Sequence, residues 1–182
     1  AIWTSGHFDR YREMSAKVMD ILADETPFVD QVSIDEAFFD ITPGRFSREN
    51  PIDIASRISR RVSELGITCS IGLGTSKTVA KIASDRDKPH GLTIVPPGTE
   101  ENFLEPLPVR AMSGIGTSAE ASLKRMGIYT LGQLAAAPVA RLVTVFGTNA
   151  QLMHDRAAGL EVSGVAPIDA PEETKSVSNE RT

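Results

Sequence analysis

The 182-residue sequence has one cysteine, Cys69, so it forms no internal disulfide and no multi-cysteine zinc site. Such sparing use of cysteine suits an intracellular compartment, and a cytoplasmic chain is the expectation. Its one tryptophan, Trp3, stands near a terminus and supports no stacking platform, and the three histidines, His7, His90 and His154, are too scattered to suggest a metal cluster. No apolar stretch approaches the roughly 20 residues of a membrane span, and residues 1–20 lack the order of a signal peptide, so no membrane partner is expected. Eleven prolines are too few for a collagen-like or Pro-rich disordered chain. What is present is ordinary for a globular protein: 41% hydrophobic and 24% charged residues. A chain of this length can bury roughly 70% of its unfolded surface, enough for one good core or two modest ones.

A net charge of -5 argues, taken whole, against a nucleic-acid partner. The distribution reverses that reading. Residues 1–55 are net -6, residues 56–92 net +4, residues 93–105 net -3, residues 106–160 net +3 and the remainder net -3. Two basic blocks are hidden inside an acidic total.

Residues 8–25 place Phe8, Tyr11, Val18, Ile21 and Leu22 near helical spacing, and Pro27 ends the pattern. Residues 29–42 are rich in Val, Ile and Phe and read as two short strands folded near 34–36. A second helix has clear ends, with Asn50 as N-cap, Pro51 at its first position, a stripe of Ile54, Ile58, Val62 and Leu65, and Gly66 just beyond. A strand over 67–73, a helix over 76–85 and a strand over 92–95 follow before Pro96-Pro97. This order predicts an α+β layer, an antiparallel or mixed sheet with helices on one face. After Pro97 the strands stop. Helical pieces over 99–104, 109–112, 117–126, 131–136, 139–146 and 149–158, separated by Gly114, Gly127, Pro138, Gly147 and Gly159, predict a small all-α domain. From Glu161 the composition is that of a linker.

Three segments carry chemistry. Asp35 and Glu36 are adjacent carboxylates at a strand bend; such a pair is either a solvated acidic turn or an oxygen-donor site for a hard divalent cation such as magnesium. The apolar setting of Val32, Ile34, Phe38 and Phe39 favours semi-burial of the carboxylates, and so a cation to neutralise them. Gly114-Ile115-Gly116-Thr117-Ser118 joins two helical pieces, with Lys124 and Arg125 on the second. It is either an ordinary turn or a helix-hairpin-helix whose N–H groups hold a nucleic-acid backbone without reading bases. Lys77 and Lys81 lie one turn apart on their helix, and Lys88 stands in the turn after it, either on a solvated basic face or within reach of a phosphate.

Residues 32–42 (VSIDEAFFDIT), 66–95 (GITCSIGLGTSKTVAKIASDRDKPHGLTIV) and 103–135 (FLEPLPVRAMSGIGTSAEASLKRMGIYTLGQLA) resemble, in order and spacing, the palm and thumb of Y-family translesion DNA polymerases of the DNA polymerase IV branch. Residues 5–22 and 174–182 are also similar to that branch. The resemblance implies a palm over 1–95, a thumb with a helix-hairpin-helix over 96–165, and a linker and start of a little finger over 166–182. It implies primer-template DNA and deoxynucleoside triphosphates as partners, a sliding clamp reached through a further C-terminal part, a monomer, and two Mg²⁺ ions at the reacting phosphate. By resemblance Asp35 is a metal-binding aspartate and Glu36 the catalytic carboxylate beside it. Lys88 contacts the triphosphate, and Gly114, Ile115, Gly116, Thr117, Ser118 and Lys124 hold DNA.

Family members begin with a strand bearing another metal-binding aspartate and paired aromatics. Neither Asp9 nor Asp20 matches it, so this chain resembles a palm and thumb fragment that by itself is inactive. The rival from another class is a stand-alone helix-hairpin-helix DNA-binding module with an inert acidic hairpin. A nucleotide cyclase shares the palm-like sheet, but the helical segment with its G-I-G hairpin disfavours it.

Overall fold

A computed structural model describes residues 6–162 and 164–169 of the chain. Trp3 and the family-like segment 174–182 lie outside the described residues. Those described fall into two compact units, one taking in residues up to 41 and again from 165, the other Thr42–Gly164.

In the first unit α1 spans Phe8–Glu25, and its chain leaves through an extended Thr26 just before Pro27. The helix buries Ser15, Ile21 and Leu22. Phe8 and Tyr11, expected on the inward stripe, are instead exposed. They meet edge to face, ring centroids 6.3 Å apart, and Arg12 lies over the Phe8 ring, so their apolar faces are partly covered without reaching a core. Strands β1 (Val29–Gln31) and β2 (Ala37–Phe39) pair antiparallel with Val29 opposite Phe39 and Gln31 opposite Ala37. Buried Thr26 donates its hydroxyl to the Asp40 carbonyl at 2.7 Å, and the Gln31 side-chain amide donates to Ser15 Oγ at 3.1 Å, which ties the hairpin to α1.

The second unit opens with α2 (Pro51–Glu64). Asn50 accepts the Ile52 N–H at 3.0 Å, and proline occupies the position where a helix has no use for an N–H. Its buried stripe is Ile54, Ala55, Ile58 and Val62. Next, β3 (Ile71–Leu73), α3 (Lys77–Arg86) and β4 (Leu92–Ile94) form a parallel β-α-β unit, Ile71 opposite Leu92 and Leu73 opposite Ile94. Residues 67–70, expected in the strand, lie outside the ladder, because the parallel register would set them opposite 88–91, the turn that contains Pro89. The strands therefore pair as two small ladders among the described residues, one antiparallel and one parallel, within the α+β class expected.

Beyond Pro97 come α4 (Glu100–Leu104), a single 3-10 turn (Val109–Ala111), α5 (Thr117–Arg125), α6 (Leu131–Ala136), α7 (Val139–Phe146) and α8 (Asn149–Ala157). Each expected piece is present, shifted by at most a residue at either end. One apolar core joins Val79, Ile82 and Ala83 of α3 and Val95 to Leu104, Val109, Met112, Ile115, Leu123, Leu131, Leu134 and Leu142. No helix of the described residues is long and apolar enough to cross a membrane.

Candidate functional site

The β1–β2 ladder ends at Gln31 and Ala37, and the residues between them form the tip that carries the two carboxylates. The Glu36 carbonyl closes the turn by accepting the N–H groups of Val32 at 2.9 Å and Ser33 at 3.1 Å. Ser33 Oγ donates to Asp35 Oδ1 at 2.6 Å and accepts the Asp35 N–H at 3.3 Å, so one hydroxyl orients both ends of the aspartate. The expected semi-burial does not occur. Asp35 and Glu36 are exposed, and so are Val32 and Ile34, because the tip runs past the last ladder pair and α1 covers the strands rather than the turn. Two neighbouring carboxylates in water repel, and their all-oxygen donor set suits a hard cation. No cluster of three His, Cys, Asp or Glu placed to hold a metal occurs among the described residues.

Lys88 follows α3 and is exposed, with Nζ 2.6 Å from Asp85 Oδ1. Lys81 approaches the other oxygen of Asp85 at 3.8 Å. This shared acid was missed in the sequence, although its spacing from the two lysines, four and three residues, was the available signal. An exposed pair of this kind is worth about 0–1 kcal/mol.

The hairpin follows the 3-10 turn, which is one residue shorter than the helical piece expected over 109–112, with Pro108 before it and Met112 leaving it in extended conformation. Gly114 has φ +90°, a conformation that L side chains rarely adopt, while Gly116 is extended and begins α5. Between them Ile115 plugs into the core with 5% of its surface exposed, and its N–H donates to the Met112 carbonyl at 3.2 Å. The N–H groups of Gly114, Gly116, Thr117 and Ser118 make no hydrogen bond to another described residue. They are exposed donors at a helix N-terminus, where an anion is favoured. Lys124, on α5, lies 2.8 Å from Glu120 Oε1. Arg110 was also missed; its guanidinium donates to the Ile115 carbonyl at 3.2 Å and its Nε lies 3.6 Å from Glu120 Oε2. The carboxylate pair belongs to the first unit, Lys88 and the hairpin to the second.

Residues 1–85 match the family model described as impB/mucB/samB (IMS). Among curated relatives, DNA polymerase IV of Dehalococcoides mccartyi is 42% identical over 183 residues, covering 100% of this chain and 46% of that protein. DNA polymerase IV of Moorella thermoacetica is 41% identical over 160 residues, covering 87% of this chain and 40% of that protein. The chain spans about half the length of the curated relatives it matches. The crystal structure of DinB from Sulfolobus solfataricus superposes with a TM-score of 0.82 at 27% identity, covering 92% of this chain and 50% of that one. An insertion ternary complex of Dbh DNA polymerase gives 0.81 at 29% identity, covering 91% and 49%. The motif-bearing segments, the fold and these likenesses agree: residues 1–85 match the impB/mucB/samB family, and the chain is similar to about half of each of these Y-family DNA polymerases.

Proposed function

We propose that this chain is the palm and thumb part of a translesion DNA-directed DNA polymerase, which adds deoxynucleotides to a primer 3′ end. On this reading residues 1–95 belong to the palm, 96–165 to the thumb and 166–182 to a connection onward. The observation that carries it is the exposed Asp35–Glu36 pair, presented at a strand turn with Asp35 oriented by Ser33. The donor set fits Mg²⁺ in kind, being oxygen only, and supplies two of the carboxylates such a site uses. Magnesium, when bound, supplies Lewis-acid stabilisation at the primer hydroxyl and the leaving pyrophosphate. Asp35 and Glu36 would hold it. Lys88 would release Asp85 and take a triphosphate oxygen as a point charge. The free N–H groups of the hairpin would accept a DNA phosphate without reading sequence, with Lys124 adding charge.

Titrating Mn²⁺ into the 182-residue chain tests the metal assignment. Paramagnetic broadening should centre on the amides of residues 33–37 and vanish in Asp35→Asn together with Glu36→Gln. Broadening elsewhere, or none, contradicts it and favours a DNA-binding module with an inert acidic turn. In the longer polymerase that contains these residues, either substitution should abolish synthesis while leaving DNA binding largely in place; near-normal rates in either would contradict the reading. The 182 residues alone are expected not to extend a primer, and Mg²⁺-dependent incorporation by them would overturn that expectation.

A further inference from the structure

The peptide linking Ile115 to Gly116 rotates about ψ of Ile115 and φ of Gly116, and the second of these is a glycine's, which changes at low cost. Its orientation matters to any phosphate grip. The bond is trans, so the Ile115 carbonyl and the Gly116 N–H point in opposite directions, and whatever holds the first aims the second. Burial of the Ile115 side chain fixes that residue's position but not the rotation of the peptide beyond it. Arg110 supplies the missing restraint by donating from Nη1 to the Ile115 carbonyl at 3.2 Å.

Arg110 is itself braced. Glu120 presents Oε2 3.6 Å from Arg110 Nε and Oε1 2.8 Å from Lys124 Nζ, and only 22% of the Glu120 side chain is exposed. A carboxylate beside a phosphate-binding hairpin is electrostatically unfavourable. Its presence is explained if it orients cations rather than meeting the ligand.

We infer that Arg110, braced by Glu120, is a positioning residue for the DNA backbone grip: it sets the Ile115–Gly116 peptide so that the Gly116 N–H faces the phosphodiester. This rests on the assignment of the hairpin to DNA made under Proposed function. Arginine is required because one planar fork must serve a carbonyl and a carboxylate together, which a lysine ammonium does less well.

Fluorescence anisotropy of the 182-residue chain with a labelled primer-template duplex, over a series of salt concentrations, tests the inference. Glu120→Gln has opposite expected signs under the two roles open to this cluster. If only charge matters, removing an acid next to DNA tightens binding; if bracing matters, binding weakens by about fivefold, the loss of roughly one hydrogen bond. Arg110→Lys, which keeps the charge, should weaken binding by a similar factor. Arg110→Gln should leave the slope of log affinity against log salt unchanged, whereas a direct phosphate contact would lower it by about 0.9. Unchanged or tighter binding in Glu120→Gln, wild-type affinity in Arg110→Lys, or a reduced slope in Arg110→Gln overturns the inference. Should Glu120→Gln fail to fold by circular dichroism, the two Arg110 variants decide. Gly116→Pro separates this from the reading beneath it. It deletes the N–H at a residue whose φ is -78° and where an added Cβ meets nothing within 4 Å. If Gly116→Pro binds like wild type, the hairpin assignment fails and the inference with it; if it weakens binding while Glu120→Gln does not, the inference alone fails.

Discussion

Glu161 reaches back across 83 residues to accept the backbone N–H of Thr78 on Oε2 at 3.0 Å. Its other oxygen takes Arg156 Nε at 2.7 Å, and only 4% of the Glu161 side chain is exposed. The bond satisfies one of the donors left open in the first turn of α3, next to the Ser76 cap on Val79, and places negative charge at the positive end of that helix. The end of the α8 segment is thereby tied to the helix that carries Lys77 and Lys81. Glu161→Ala leaves a half-buried N–H and a half-buried guanidinium without this partner and should lower stability by about 2 kcal/mol. Glu161→Gln keeps an acceptor and should cost roughly half as much. Urea denaturation of the three proteins at pH 7 checks both.

The same contact sets a pH dependence. Burial pushes the Glu161 carboxyl up, but the hydrogen bonds from Thr78 and Arg156 and the charge of Arg156 together outweigh it, so its pKa lies below the ordinary value. The unfolded chain therefore takes up this proton first as pH falls. The stability owed to Glu161 is complete above the ordinary glutamate pKa of about 4.3 and is lost as pH drops from there through the lower folded value. Other lowered carboxylates, Glu13, Glu49 and Glu100, titrate in the wild type and the variant alike. The wild-type minus Glu161→Gln stability difference should thus be constant from pH 7 to 5 and shrink below that. A difference independent of pH down to 3 would contradict the ion pair.

Gly72 sits in the middle of β3 with α3 directly upon it. A Cβ there would run into the Ala80 carbonyl oxygen and come within 2.5 Å of the Ser84 N, both backbone atoms of the helix. Neither can move without shifting α3 as a body. Gly72→Ala should cost about 3 kcal/mol or more, at the top of the range for overpacking, despite its gain in strand propensity. Thermal unfolding of the variant measures this, and a loss below about 1 kcal/mol would show that the helix can ride outward.

Much of this architecture was legible because its signals are local. Asn50-Pro51 announces a helix start through one cap and one missing N–H, and the short helices after Pro97 are punctuated residue by residue by glycine and proline. The Asp35–Glu36 turn was legible through its flanking strands. Its exposure was not, since apolar neighbours in sequence do not determine which side of a hairpin tip faces water. Nor does any sequence period say that 71–73 and 92–94 pair with each other in parallel, or that Arg110 lies under the Ile115 carbonyl. Those contacts are made by packing between segments. Phe8 and Tyr11 show the same limit from the other side: helical spacing placed them on one face correctly, yet both rings are exposed, and the buried residues of α1 are Ser15, Ile21 and Leu22.

Ser33 offers the last test, because two effects of its hydroxyl on a bound cation oppose each other. By donating to Asp35 Oδ1 at 2.6 Å it occupies lone-pair density that a cation could use, and its removal would then raise affinity. It also accepts the Asp35 N–H at 3.3 Å and so fixes the carboxylate relative to its own backbone. At an exposed tip water replaces the lost hydrogen bond almost without penalty, while nothing replaces the orientation. Orientation should win. Ser33→Ala is expected to raise the Mn²⁺ concentration for half-maximal broadening at residues 33–37 by about tenfold, as loss of a hydrogen bond behind a metal ligand commonly does. The broadening at saturation should be unchanged, since both carboxylates remain. An affinity equal to or above that of the unsubstituted chain would show that the serine shapes the turn alone and has no part in presenting Asp35.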